Sequence, residues 1–258
     1  MPSRWVIDFG AMPLEEAERY PAAMDVVRRR VKPRRERNRR KARRESWWRF
    51  SEVAIGLRRA TARLDRYAAG TATGKRLLFA WVDADVCPSN LVNVFTFDDD
   101  YAMGVLLSSV HSRWAWFQAS TLKGDLRYTP TTVFATFPWP APTDAQHDGI
   151  ADIAKRLIAL RDEMSVDRNI GLTKLYNECD EGMHKELREL HHQLDRAVAE
   201  AYGWPPSVLS DPADITIRLL GLNAAIAEGN QAYAPFSPLP APEEPQSDRL
   251  FPPDGEMS

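Results

Sequence analysis

Cysteine is scarce in this chain. Cys87 and Cys179 are its two thiols, far apart and outside any CxxC or other ligand-spaced pattern. That excludes a cysteine-built metal site and reads as free thiols in a reducing compartment. Long apolar runs are missing too: none approaches the roughly 20 residues that span a bilayer. Met1 to Gly10 lacks the apolar core of a signal peptide, so a cytoplasmic protein without a membrane role is expected. Glycine-rich phosphate loops and dinucleotide fingerprints are absent, as are GxSxG and HExxH. Asp8-Phe9-Gly10 spells a kinase metal-binding tripeptide, but no kinase lysine strand or HRD loop accompanies it, so it reads as coincidence. These absences nominate no catalytic residue, no metal site and no cofactor site. What remains is ample for a core: 258 residues, 44% hydrophobic and 10% aromatic, enough for one large domain or two small ones.

Charge is distributed unevenly. The first fifty residues carry a net +8 in a chain whose total is −2. Most of this lies between Arg28 and Arg49, where thirteen Arg or Lys stand against Glu36 and Glu45, a net +11 in twenty-two residues. Such density repels itself unless a polyanion lies nearby, and a row of phosphates exchanges condensed counterions for fixed Arg and Lys charges. A solvated or disordered basic arm is the bland alternative. Trp47 and Trp48, directly after the block, argue against it. The expected phosphate contacts are Arg39, Arg40, Lys41, Arg43, Arg44 and Arg49. The two tryptophans read as core aromatics, one of them seating the basic segment on a sheet.

Local patterns sketch the rest. Arg4–Phe9 alternates as a short strand would, and Pro13 followed by Leu14, Glu15 and Glu16 looks like a first helical turn. Helix is expected from Ala22 through Val31, with Pro33 opposing one continuous rod. Residues 53–69 read as an amphipathic segment anchored by Leu57, Leu64 and Tyr67. Arg76–Val82, Leu91–Phe97 and Thr131–Phe137 read as strands, the first two joined by a turn at Pro88-Ser89-Asn90. Asp98 to Asp100 caps a helix whose buried stripe is Met103, Leu106, Val110, Trp114 and Phe117. Pro138-Trp139-Pro140 looks like a linker. Beyond it, apolar residues at three- and four-residue spacing mark helices around 150–164, 183–201 and 212–226, enough for a small antiparallel bundle. From Pro235 the chain is rich in Pro, Glu, Asp and Ser and is expected to be disordered. The fold class is therefore α+β: a mixed domain over 1–140, carrying the basic segment 28–49, a helical domain over 144–228, and a tail over 235–258.

Two clusters could carry chemistry. His184, His191 and His192 lie near Cys179 on a helical pattern, but interhelical and surface histidines are far commoner than converging metal ligands. Ser120, Thr121, Lys123, Arg127, Tyr128 and Thr129 crowd into ten residues after a helix. Hydroxyls and cations in such a segment contact phosphates or read base edges, Arg and Lys favouring guanine. A plain polar loop has the same composition, and spacing alone does not choose between them.

The order of segments is informative in itself. Arg4-Trp5-Val6-Ile7-Asp8-Phe9 is followed by Glu15-Glu16-Ala17 and by the basic run ending Arg43-Arg44-Glu45-Ser46-Trp47-Trp48. Next come Ser120-Thr121-Leu122-Lys123, Arg127-Tyr128-Thr129 and Phe137-Pro138-Trp139-Pro140. Leu172-Thr173-Lys174-Leu175-Tyr176-Asn177, His192-Gln193-Leu194-Asp195 and Ala201-Tyr202-Gly203 complete the series. This order resembles the C-terminal part of MmeI-like type II restriction–modification proteins and related adenine-specific DNA methyltransferases, over about residues 4 to 228. The resemblance implies a target-recognition domain that docks on duplex DNA, braced by a helical domain. It also implies a detached or truncated specificity portion. The S-adenosylmethionine site and the Asn-Pro-Pro-Tyr-type loop of the family lie in a methyltransferase domain with no counterpart here. That domain would be supplied by a partner chain in trans, and this chain alone is not expected to be an enzyme. The alternatives are an RNA- or ribosome-associated basic protein, which phosphate neutralisation serves equally well, and a non-functional remnant of a split methyltransferase gene.

Overall fold

The computed structural model describes residues 5–122, 124–231, 233 and 235. Lys123 and nearly all of the tail expected from Pro235 lie outside the described residues.

Four short helices open the chain: α1 (Leu14–Ala17), α2 (Pro21–Arg30), α3 (Lys32–Glu36) and α4 (Lys41–Glu45). Pro21 and Pro33 each sit in a first turn, where the missing N–H costs nothing. The basic run thus becomes a chain of short helices, broken at Val31. Phe9, Ala17, Met24, Val27 and Trp47 form a small core beneath it. Trp47 therefore seats the basic segment on its own helices, and not on a sheet. The strand expected over Arg4–Phe9 is not formed by its described residues: Trp5, Val6 and Ile7 are exposed, and only Phe9 is buried. Alternation alone does not make a strand without an edge to pair with.

α5 (Ile55–Thr61) follows, then β1 (Arg66–Thr71), β2 (Thr73–Gly74), β3 (Phe79–Asp83) and β4 (Val92–Phe95). The expected amphipathic segment over 53–69 is split, because Tyr67 and Ala68 are buried on β1 and not on a helix. β1 lies between β3 and β4, antiparallel to both. Gly70 is required there: a Cβ would meet the Phe79 ring at 2.6 Å.

α6 (Asp100–Leu107) starts as the acidic triplet implies. Asp99 accepts from the N–H groups of Tyr101 and Ala102, at 3.1 and 3.2 Å. The single helix expected next is two, because Ser108 ends α6 and caps α7 (Ser109–Gln118). A second three-stranded antiparallel sheet has the order β2, β6 (Asp125–Arg127), β5 (Ser120–Leu122). The strand expected over Thr131–Phe137 is instead a π-helical turn, Pro130–Phe134. Val133 is its buried residue, and Thr131, Thr132 and Val133 do not alternate in burial as a strand's residues would.

The Phe137–Pro140 segment is no exposed linker. All four residues are buried. Tyr233 donates to the Phe137 carbonyl at 2.6 Å, Tyr202 to Pro138 at 2.8 Å and Tyr101 to Pro140 at 3.3 Å. An extended run with two prolines leaves carbonyls needing partners, and three phenols supply them. α8 (Asp144–Asp167) then begins with a capping box between Thr143 and Gln146. α9 (Leu172–Asp180), α10 (Lys185–Ala201) and α11 (Pro212–Ala227) complete the helices. α8 packs on α6 and α10. One hydrophobic core runs from Ala68 on β1 to Leu219 on α11. Arg161 of α8, fully buried, donates to the Phe79 carbonyl of β3 at 2.9 Å and so ties the helices to the first sheet. Among the described residues no helix is long and apolar enough to cross a membrane.

Candidate nucleic-acid interface

The two sheets meet at Ala72, the one residue between β1 and β2. Its N–H donates to the Leu91 carbonyl at 3.2 Å, and its carbonyl accepts from Tyr128 N–H at 2.9 Å. The turn before β4 is fixed further by Ser89, whose hydroxyl accepts from Leu91 N–H at 3.3 Å. Asn93 of β4 donates its amide to the Tyr128 carbonyl at 3.0 Å. Three chain segments are thus laced together by backbone and amide bonds. Between them lies a cleft of about 420 Å³. Thr73 of β2, Asn90 and Leu91 of the turn, and Arg127 and Thr129 line it. Thr73, Asn90, Leu91 and Arg127 are all exposed.

β6 alternates as a strand must. Leu126 and Tyr128 are 2% exposed and face the core, while Arg127 between them faces outward. The residues expected to read bases therefore divide. Arg127 is exposed and Thr129 half-buried in the cleft; Ser120 pairs with Arg127 across β5 and β6 and is exposed. Thr121 is on β5, paired with Leu126. Lys123 lies outside the described residues. Tyr128 faces inward: its ring is packed edge-on against Phe79 and Phe95, and its hydroxyl lies 3.1 Å from His111 Nε2. Burial pushes its phenol pKa far up, so the side chain is a neutral group packed in the core, and the residue borders the cleft from within. The alternation of Leu126, Arg127, Tyr128 and Thr129 was the signal that separates inward from outward positions. Asn90, Leu91 and Thr73 carried no local signal. They join the cleft only through the Ala72 bonds.

The expected phosphate contacts also divide. Arg39 and Arg40 are exposed and Arg43 half-buried, and their side chains make no hydrogen bond or ion pair among the described residues. Lys41 is exposed and loosely paired with Glu45 at 3.6 Å. Arg44 donates back to the carbonyls of Asn38 and Arg39, at 2.8 and 3.1 Å. Arg49 is a structural residue in this arrangement. Its Nε donates to the Met12 carbonyl at 2.7 Å, beside the Trp48 indole, which donates to the same oxygen at 3.0 Å.

The histidine cluster does not converge on a common point. His184 faces Glu178 at 2.8 Å, whereas His191 faces the Tyr176 hydroxyl at 3.0 Å. The Arg168 guanidinium, then His184, hold the Glu178 carboxyl down at about 2. Among the described residues no group of three or more His, Cys, Asp or Glu is placed to hold a metal ion.

Comparison with known proteins locates this geometry. A family model described as the MmeI target recognition domain matches residues 2–141. DNA methyltransferase A of Bacillus subtilis (strain 168) is 33% identical over 119 residues, covering 46% of this chain and 13% of that protein. The solved structure of MmeI, a type IIL restriction–modification enzyme in complex with DNA, superposes with a TM-score of 0.70 at 20% identity, covering 87% of this chain and 29% of MmeI. The chain thus spans less than a third of either relative, and the superposition establishes the shared fold. With the matched region extending over more than half of its length, the chain belongs to the MmeI target recognition domain family.

Proposed function

We propose that this chain recognises a specific sequence in duplex DNA, with residues 1–140 as the docking and reading portion and residues 144–228 as its brace. The observation that carries the reading is the pinned cleft. Arg127 stands exposed on a strand whose neighbours are fixed, beside Asn90 and Thr73, and Leu91 supplies an apolar edge. Arg reads guanine by paired hydrogen bonds, Asn reads adenine, and apolar groups meet the thymine methyl. Arg39, Arg40, Lys41, Arg43 and Arg44 supply sequence-independent affinity through phosphates. Arg49 acts behind them, holding the segment in place.

The chemistry belongs elsewhere on this reading. The chain itself is not a catalyst, and S-adenosylmethionine binds a methyltransferase domain that works with it in trans. A cytoplasmic location goes with DNA as the ligand. Membership of a target-recognition family supports the reading, as does the DNA bound to MmeI in the solved complex.

The test is selection of the purified chain on a pool of randomised 20-base-pair duplexes, with RNA duplex as competitor. A recovered motif, lost at one or two positions in Arg127→Ala, is the expected result. Equal competition by RNA, or retention without any motif, sinks the proposal.

A further inference from the structure

Resting on the DNA reading above, we propose that His111 is a positioning residue for base recognition, acting through Tyr128 to hold Arg127 and Thr129 in register. His111 lies on α7 with no exposed surface. Its Nδ1 is 3.0 Å from the Leu106 carbonyl and its Nε2 is 3.1 Å from the Tyr128 hydroxyl. A carbonyl only accepts, so the Nδ1 carries the ring proton. The Nε2 then presents a lone pair, and the Tyr128 hydroxyl donates to it. Burial lowers the imidazole to about 4, which keeps this neutral tautomer in place.

The arrangement does more than fill space. Two aromatic hydrocarbons would pack the same volume without the cost of burying an imidazole and a hydroxyl. What the polar pair adds is direction: a packed ring can slide, whereas a hydrogen-bonded one has a single favoured orientation. Tyr128 is held at its hydroxyl by His111, at its N–H by Ala72 and at its carbonyl by Asn93. Because side chains alternate on a strand, fixing Tyr128 fixes the outward vectors of Arg127 and Thr129. A reading site needs its contacts placed within about 0.5 Å, and a buried anchor one residue from the reader supplies that. His111 also binds the last turn of α6 through the Leu106 carbonyl, so the reader is referenced to the helical core.

The experiment uses the full chain and the same randomised duplex pool. Tyr128→Phe removes one oxygen, His111→Leu removes both bonds, and His111→Gln restores an acceptor near the Nε2 position. Enrichment at the base pairs whose preference Arg127→Ala abolishes is the readout, alongside thermal melting and affinity for one fixed duplex. We expect Tyr128→Phe and His111→Leu to lower enrichment at those positions by roughly tenfold, a fraction of one base contact's discrimination, while the remaining motif persists. His111→Gln recovers part of the loss, and the affinity of the His111 variants for a fixed duplex lacking the recovered motif moves less than about twofold, the sequence-independent phosphate contacts being untouched. If His111→Leu fails to fold, Tyr128→Phe decides the matter alone. Full enrichment in a folded Tyr128→Phe protein overturns the inference, even if its melting temperature drops. No motif from the unaltered chain overturns the DNA reading itself, and this inference with it.

Discussion

The basic segment offers the sharpest quantitative test, because its cations are not equivalent. Arg39, Arg40 and Arg43 have side chains without hydrogen bonds or ion pairs among the described residues, whereas Arg49 is committed to the Met12 carbonyl. Each phosphate contact on B-DNA steepens the dependence of log affinity on log salt by about 0.9. Replacing Arg39, Arg40 and Arg43 together by Ala should therefore flatten that slope by up to about 2.7. Between 50 and 200 mM salt, a fourfold change, the unaltered chain should lose roughly 40-fold more affinity than the triple variant. Arg49→Ala should behave differently. It loses a buried-facing hydrogen bond and the contact with the Trp48 ring, 5.2 Å away, at a cost of about 1 to 2 kcal/mol in stability. Its salt slope should fall by no more than about one. Fluorescence anisotropy with two unrelated labelled duplexes, titrated at several salt concentrations, measures the slopes. Circular dichroism melts report the stability. An unchanged slope in the triple variant refutes the assignment of these charges to phosphates. A loss confined to one duplex refutes their sequence independence.

Three further outcomes follow from the core. Gly104→Ala gains up to about 1 kcal/mol of helix propensity, but its methyl would meet Ile150 at 2.8 Å, Ala154 at 3.1 Å and Leu194 at 3.3 Å. Overpacking costs about 1 to 3 kcal/mol, so denaturant melts should show net destabilisation, and a more stable variant would mean slack in that interface. Arg161→Ala should cost about 3 kcal/mol by stranding the Phe79 carbonyl and opening a cavity. Arg161→Met, which keeps the stem and removes an Nη2 that has no partner, should cost at least about 1 kcal/mol less; equal losses would refute a packing role for the stem. Acid should weaken the fold early. His111 and His191 are both lowered by burial to about 4 from an ordinary 6.5. The unfolded chain takes up protons first, so stability is full above pH 6.5 and drains between 6.5 and 4, by at most about 3 kcal/mol per histidine. A stability curve flat from pH 7 to 4.5 would contradict this.

What the sequence made legible was local. Asp99 announced α6 because a carboxylate before an apolar run satisfies orphan N–H groups wherever it occurs. The helical periodicities of α8, α10 and α11 needed only a stripe, and the basic run needed only counting. What stayed hidden was set by partners distant in the chain. Prolines at 138 and 140 read as a break, yet Tyr101, Tyr202 and Tyr233 clamp their segment from three separate elements. α9 went unmarked because Leu175, Tyr176 and Cys179, its buried apolar face, are too few to make a period. The cleft was the least legible of all. It is organised by the backbone of Ala72, a residue whose side chain says nothing; its Asn90 looked like an ordinary turn residue and its Leu91 like the start of a strand.

On the proposed reading, the basic segment and the cleft are each built to the tolerance of their task. Charge attraction falls off as the inverse of distance, so a phosphate clamp that shifts by an ångström keeps most of its effect. Short helices over a core of Phe9, Ala17, Met24, Val27 and Trp47 are adequate for that. A base contact is a hydrogen bond, which weakens steeply with small errors of distance or angle. Arg127 accordingly stands on a strand bonded on both edges, flanked by residues packed at 2% exposure. Slack should therefore be tolerated differently in the two places. A glycine introduced at Ala42, exposed within a helix of five residues, should cost roughly 1 kcal/mol of local helix stability yet leave the motif recovered from a randomised pool intact. A glycine at Leu126 should erode that motif before it abolishes binding. The reverse order would mean that the basic helices, and not the cleft, hold the sequence preference.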